Sequence, residues 1–241
     1  AARDAGAPDQ AVTDKLLIRP NGPLRGTVAV NGAKNAVLPI MAACLLTDET
    51  SVIDNVPRVT DVVTMIEILR RLGVRVEFAA DRLTITPAGY AGTVAPYDLV
   101  SRMRASICVL GPLLARRGSA QVSMPGGCVI GARPVDLHLK GLQALGATFS
   151  IEHGYIVAAA PHLQGGRVHL AGAFGSSVLA TGNVMMAAAL ADGMTVIEHA
   201  ACEPEVVDLA DFLTAMGAKI GGQGGPVIRI EGVPVLHGAR H

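Results

Sequence analysis

The chain repeats itself about every seventy residues, and few folds can accommodate such a period. Each unit opens on a stretch rich in small apolar residues with helical spacing, at 33–46, 103–115 and 178–190. A polar turn and a β-branched strand follow, at Ser51-Val-Ile, Gln121-Val-Ser and Thr195-Val-Ile. A second, amphipathic helix then ends on Leu72-Gly73, Leu145-Gly146 or Met216-Gly217. Glycine just past the last periodic apolar residue is a common helix stop. A strand pair closes each unit: 74–78 with 83–86, 148–152 with 155–158, and 219–221 with 227–230. The first helix is apolar nearly all round, which predicts burial, whereas the second carries a polar face and belongs nearer solvent. Units at fixed spacing complete one another's cores. The pattern therefore predicts an α/β domain with pseudo-threefold symmetry, three buried helices having sheets around them.

Composition narrows the function. Half of the 241 residues are apolar and 17% are charged, enough for a sizeable core in one large domain or two small ones. Net charge is zero, Trp is absent, and three Tyr and four Phe leave little surface for stacking bases, so no nucleic-acid partner is expected. The longest apolar run, 36–46, is too short to span a bilayer. The first residues lack a charged-then-apolar export pattern. Cys44, Cys108, Cys128 and Cys202 lie far apart with no CxxC pairing, which argues against a zinc site or a disulfide framework. The expectation is a cytoplasmic protein with no metal and no cofactor. Residues 1–13 show no pattern and are expected to be a disordered tail.

The segment Pro125-Gly-Gly-Cys-Val-Ile-Gly-Ala-Arg-Pro-Val-Asp-Leu-His138 sets one cysteine in a glycine-rich loop, five residues before an arginine. Glycines let the backbone come close to a ligand. Arg133 can fork onto a phosphate. A cation beside a thiol stabilises the thiolate. The segment reads as an anion-binding loop with a reactive Cys128, the alternative being a buried Cys in a tight turn. Lys34, in Gly-Ala-Lys-Asn, sits at a strand-to-helix turn, where a helix N-terminus adds its own positive end.

Four stretches carry a resemblance to a known family: Asn31-Gly-Ala-Lys-Asn-Ala; Ala95-Pro-Tyr-Asp-Leu-Val with Met103-Arg-Ala-Ser; Pro125 to His138; and Glu203-Pro-Glu-Val-Val-Asp208. The chain resembles the enolpyruvyl transferases, and among them those acting on UDP-N-acetylglucosamine at the first committed step of peptidoglycan synthesis. The resemblance runs from about Lys15 to the last residue. It implies an inside-out α/β barrel domain of three βαβαββ units, one of two such domains. Residues 34–231 would form the first domain, in repeats of about 34–100, 101–173 and 174–231. Residues 14–33 would be entering strands of a second domain that is largely missing, and 232–241 would begin the return to it.

The reaction so implied moves the enolpyruvyl group of phosphoenolpyruvate to the sugar 3′-hydroxyl and releases phosphate. Cys128 would donate the proton, and Lys34, Arg104 and Arg133 would complete the catalytic set. Lys34, Asn35 and Arg104 would meet the two substrates, while Arg133, Pro134, Val135, Asp136 and Leu137 would hold the uridine and pyrophosphate. Ser176, Ser177 and Val178 would touch the nucleotide phosphates. His138 is read as structural at least as readily as functional. Two positions depart from the family pattern: Leu179 where glycine is usual, and Cys202 where arginine is common. A side chain at Leu179 is expected to crowd the phosphate or force a different turn. The chain is then a fragment, one part of a split enzyme, or a non-catalytic UDP-sugar-binding or regulatory descendant. Self-association, or pairing with a second chain that supplies the missing domain, is expected. A transferase acting on shikimate 3-phosphate is disfavoured by Cys128 and the Arg133-Pro-Val-Asp loop.

Overall fold

A computed structural model describes residues 17–20, 22–124, 135–173 and 175–241. The chain divides into two compact units, Ala1–Val30 and Asn31–His241. In the first, the described residues form no helix or strand, and Leu17, Ile18, Leu24, Val28 and Val30 are between 79% and 92% exposed. The tail expected at 1–13 lies outside the described residues.

The second unit holds the three repeats. The first contains α1 (Lys34–Ala43), which tightens into a 3₁₀ turn at Cys44–Leu46, then β1 (Ser51–Ile53), α2 (Thr60–Arg71), β2 (Arg75–Ala79) and β3 (Arg82–Thr86). The second contains β4 (Val94–Ala95), α3 (Tyr97–Val100) and a 3₁₀ segment, Arg104–Val109, that runs into α4 (Leu110–Arg117). It continues through β5 (Ser119–Ser123), α5 (Asp136–Ala144), β6 (Thr148–Glu152) and β7 (Tyr155–Ala159). The third contains β8 (Arg167–His169), α6 (Val178–Ala188), β9 (Met194–Glu198), α7 (Pro204–Ala215), β10 (Lys219–Gly221) and β11 (Val227–Glu231).

Every helix and strand expected from the period is present. Gly73, Gly146 and Gly217 follow the second helix of each repeat with φ of +97°, +95° and +104°, a left-handed geometry that L side chains avoid. The periodicity alone did not include the short β4, α3 and β8, of which β4 and β8 are opening strands of the βαβαββ unit that the resemblance implies. The architecture is the inside-out α/β barrel: helices are central and sheets peripheral. In α1 the residues from Val37 to Ala43 are all buried, and in α6 all those from Ala180 to Ala188.

Each repeat forms an antiparallel three-stranded sheet, ordered β1-β3-β2, β5-β7-β6 and β9-β11-β10. A fourth strand adds in parallel to the first strand of two of them, β4 on β5 and β8 on β9. In the first sheet the same place is taken by the last residues of the chain. Arg240 bridges Val52 in parallel. The Val52 amide donates to Ala239 O, the Asp54 amide to His241 O and the His241 amide to Val52 O, each at 2.9 Å. Residues 232–241 thus belong to the same compact unit as the repeats.

Side chains fasten this last strand. Arg240 Nε donates to Asp54 Oδ2 at 2.9 Å, and Arg82 pairs with the other oxygen of Asp54. His237 and the Gly238 amide hold the two oxygens of Glu49. Both carboxyls are thereby held below their usual range, Asp54 chiefly by its bond to Arg82 and then to Arg240, Glu49 by His237 and then the Gly238 amide. A depressed carboxyl stabilises the fold above its unfolded-state pKa, and that stabilisation is lost as pH falls through the lower folded value. The Val52 and Asp54 amides should therefore keep their hydrogen-exchange protection from neutrality down to about pH 4 and lose it below. Asp54→Asn should show reduced protection already at neutral pH. Protection that is independent of pH and of this substitution would show that the backbone bonds alone hold the strand.

Candidate active site

A helix that joins two parallel strands must run antiparallel to both, so its N-terminus lies at their carboxyl ends. Lys34 is the first residue of α1, Arg104 the first of the 3₁₀ segment before α4, and Val178 the first of α6. The strand rule holds for the segments led by Arg104 and Val178, and Lys34 takes the equivalent place in the first repeat because α1 likewise leads into the first strand of its sheet. Contacts join these helices to the second helices of the repeats. Lys34 Nζ is 2.8 Å from Asp61 Oδ2, in the first turn of α2. Lys34 and Asn35 line a cavity of about 470 Å³ with Ala33, Ala36, Pro204, Glu205 and Asp208, so the N-termini of α1 and α7 face one space. Arg104 acts electrostatically on His138, in the first turn of α5, and His138 hydrogen-bonds Asn183 of α6. Unpaired N–H groups at such ends make a positive field suited to anions.

The remaining expected residues that the structure describes have these positions. Asn35 is exposed and Arg104 half-buried. Val135 caps α5 and is buried. Asp136, the first residue of α5, is exposed, where its charge complements the helix N-terminus. Leu137 is half-buried; a Cβ at Gly172 would lie 3.2 Å from its Cδ1, so it packs on the loop leading to α6. Ser176 is exposed. Ser177 is the N-cap of α6, its hydroxyl accepting from the Ala180 amide at 3.3 Å. Cys128, Arg133 and Pro134 lie outside the described residues, in the segment between β5 and α5.

The expected intrusion at Leu179 meets a different arrangement: the side chain packs against the core, and α6 starts with a regular capped turn. Cys202 is exposed just ahead of α7. The sequence analysis gave no role to Asp61, Glu205 or Asp208. The first is an acid in the opening turn of α2, and the other two lie within the quoted Glu203–Asp208 motif; their convergence on Lys34 and Asn35 is tertiary. Asp208 Oδ1 in turn bonds His241 Nε2 at 2.9 Å.

A second cavity, of about 550 Å³, lies at the other end of α4, lined by residues 114–119, 160–163 and Leu190. Its cations are already engaged. Arg116 pairs with Asp48, and Arg117 bonds the Tyr90 carbonyl and covers the Tyr90 ring at 4.0 Å. Among the described residues no group of three or more His, Cys, Asp or Glu is placed to hold a metal ion, and no helix is long and apolar enough to cross a membrane.

Burial pushes the Cys44 and Cys108 thiols up to about 12. At neutral pH their thiolate fraction is then roughly 10³-fold below that of an ordinary cysteine. A short maleimide pulse on the native protein, read by peptide mapping, should leave Cys44 and Cys108 unlabelled while Cys202 reacts. Rapid labelling of either buried thiol would mean that the helical centre opens readily.

The comparisons with known proteins agree with this fold. Residues 18–241 match the family model described as EPSP synthase (3-phosphoshikimate 1-carboxyvinyltransferase). The chain is 53% identical over 228 residues to a UDP-N-acetylglucosamine 1-carboxyvinyltransferase of Methylacidiphilum infernorum (isolate V4), covering 95% of this chain and 54% of that protein. Among solved structures it is similar to the enolpyruvyl transferase NikO from Streptomyces tendae, with TM-score 0.77 and 23% identity over 90% of this chain and 51% of the other. It is also similar to an EPSP synthase from Acinetobacter baumannii, with TM-score 0.69 and 19% identity over 89% and 48%. At those identities the two structures speak for the fold alone. The chain spans about half the length of the relatives it matches. Three repeats, their buried helices and a family match over nearly every described residue converge: the chain belongs to the EPSP synthase family of carboxyvinyl (enolpyruvyl) transferases.

Proposed function

We propose that this chain provides one lobe of an enzyme that transfers the enolpyruvyl group of phosphoenolpyruvate to the 3′-hydroxyl of UDP-N-acetylglucosamine, releasing phosphate. The observation that carries the reading is the 53% identity to a UDP-N-acetylglucosamine 1-carboxyvinyltransferase across 95% of the chain. The cationic helix ends of α1 and the Arg104 segment support it, since both substrates are polyanions.

In this reading carbon 2 of phosphoenolpyruvate is attacked by the sugar hydroxyl while carbon 3 gains a proton. The resulting tetrahedral adduct loses phosphate, and a proton leaves carbon 3 to restore the double bond. Lys34, Arg104 and Arg133 neutralise the carboxylate and phosphate, and Cys128 supplies the proton at carbon 3. Asn35 bonds the sugar nucleotide, Val135 to Leu137 the uridine, and Ser176 to Val178 the nucleotide phosphates. The substrates place the step in the cytoplasm and in peptidoglycan synthesis, with consequences for cell shape and division. The chain's partner is a second lobe, in another chain or in further sequence, which supplies the base for the 3′-hydroxyl. A closed, water-free cleft needs both lobes.

Phosphate release with both substrates should be undetectable for this chain alone and appear when a complementary lobe is added. In that reconstituted system Cys128→Ser should lower turnover by roughly 10²–10⁴-fold. Its affinity for UDP-N-acetylglucosamine should stay within about threefold of wild type. If UDP-N-acetylglucosamine binds but phosphate is not released in the presence of a competent second lobe, the chain is a UDP-sugar-binding module without catalysis.

A further inference from the structure

A densely bonded polar group among the described residues is buried between three helices, beside Arg104 and Leu137, which are assigned above to substrate. Asn183, in α6, is fully buried, and its amide is used three times. Its Nδ2 donates to Ile107 O at 2.8 Å, its Oδ1 accepts from the Gly111 amide at 2.9 Å, and its Nδ2 meets His138 Nδ1 at 2.9 Å. Ile107 offers only an acceptor there and Gly111 only a donor, so the amide has one possible orientation. His138 Nδ1 must therefore accept, and the ring proton must sit on Nε2. His138 is 1% exposed. Burial, aided by the Arg104 charge, pushes its pKa down to about 3, so it is neutral at working pH. Its Nε2–H has no partner among the described residues.

Neighbouring elements come close at this point. A Cβ at Gly111 would lie 2.3 Å from Asn183 O, and one at Gly141 would lie 2.4 Å from Val184 Cγ2. The node thus sits where α4 and α5 press hardest on α6. It links three elements whose N-terminal residues are expected at the ligand: the segment led by Arg104, α5 behind Val135–Leu137, and α6 behind Ser177. We propose that His138 is a positioning residue, which through Asn183 locks the Arg104 segment and the N-terminus of α5 into one register on α6, so that the anion-binding groups of the second and third repeats are preset before ligand arrives. A neutral imidazole suits this place, since an imidazolium would repel Arg104 and could not accept from Asn183. The proposal rests on the function proposed above only for the identity of the ligand.

Three measurements test it. In the wild-type chain, imidazole ¹⁵N shifts of His138 should show an unprotonated Nδ1 and a protonated Nε2 at neutral pH; the opposite tautomer or an imidazolium would overturn the node. Second, His138→Phe fills the ring volume but offers no acceptor, whereas His138→Asn keeps an acceptor where Nδ1 stood. Hydrogen exchange at the Gly111 and Leu139 amides should quicken together by about tenfold in the Phe variant and recover in the Asn variant, while β10 and β11 stay unchanged. Protection unchanged in the Phe variant, or lost on α5 alone, would refute the coupling. Third, UDP-N-acetylglucosamine should bind the Phe variant about tenfold more weakly, with affinity rescued by Asn. Equal affinity in wild type and a folded Phe variant would reduce His138 to a packing residue. Absence of binding by the wild type would count against the proposed ligand and leave the exchange data to decide the positioning role. If the Phe variant does not fold, the wild-type tautomer and the Asn variant's exchange decide it.

Discussion

Three helices can share the centre of this domain only if their backbones approach closely, and side-chain size at a few positions sets that approach. Gly111 faces Asn183, Gly141 faces Val184, and Gly182 faces Leu209, where a Cβ would stand 3.1 Å from the Leu209 Cδ2. Helix α6 is thereby gripped from α4, α5 and α7, and its buried polar groups reach out to the same neighbours. Asn183 bonds the 3₁₀ segment and α4, and the Thr181 hydroxyl accepts from the Ala201 amide ahead of α7. Interiors packed this tightly move between discrete arrangements rather than deforming continuously. The helix N-termini that emerge at one end are consequently fixed relative to one another.

In the function proposed, that rigidity has a use. Charges aimed at an anion are most effective when they need no rearrangement on binding, and sites carried on helices are held more accurately than sites on loops. Symmetry supplies the scaffold, and in the proposed reaction its breaking supplies the chemistry. The connection from the first sheet strand to the second helix runs over 54–59 in the first repeat and 199–203 in the third, but over 124–135 in the second. The longer connection is the one that carries Cys128 and Arg133, the residues proposed for proton donation and nucleotide binding.

The long elements were legible because their periodicity is strong: an apolar 3.6-residue stripe and a glycine stop recur three times. The elements that escaped the periodicity are those whose conformation is lent by a neighbour. Val94–Ala95 and Arg167–His169 are too short to show a period, and become strands because β5 and β9 offer an edge. Ala239–His241 shows no strand composition either, yet it fills the matching place beside β1. The same division holds at the site. Lys34, Asn35, Arg104 and Ser177 could be placed at helix starts because the motifs that hold them mark those starts. Asp61, Glu205 and Asp208 gain meaning only by facing Lys34 and Asn35 across the fold, and the His138–Asn183 bond joins residues 45 apart in sequence.

The central claim is that equivalent helix ends from three repeats form a single anion site. Titration of UDP-N-acetylglucosamine into the ¹⁵N-labelled chain, read as amide shift changes, tests it most directly. The account predicts changes at Lys34 and Asn35, at Arg104, at Asp136 and Leu137, and at Ser177 and Val178, with the residues at 114–119 and 160–163 unmoved. Changes concentrated in that second cavity, with the helix ends silent, would contradict it.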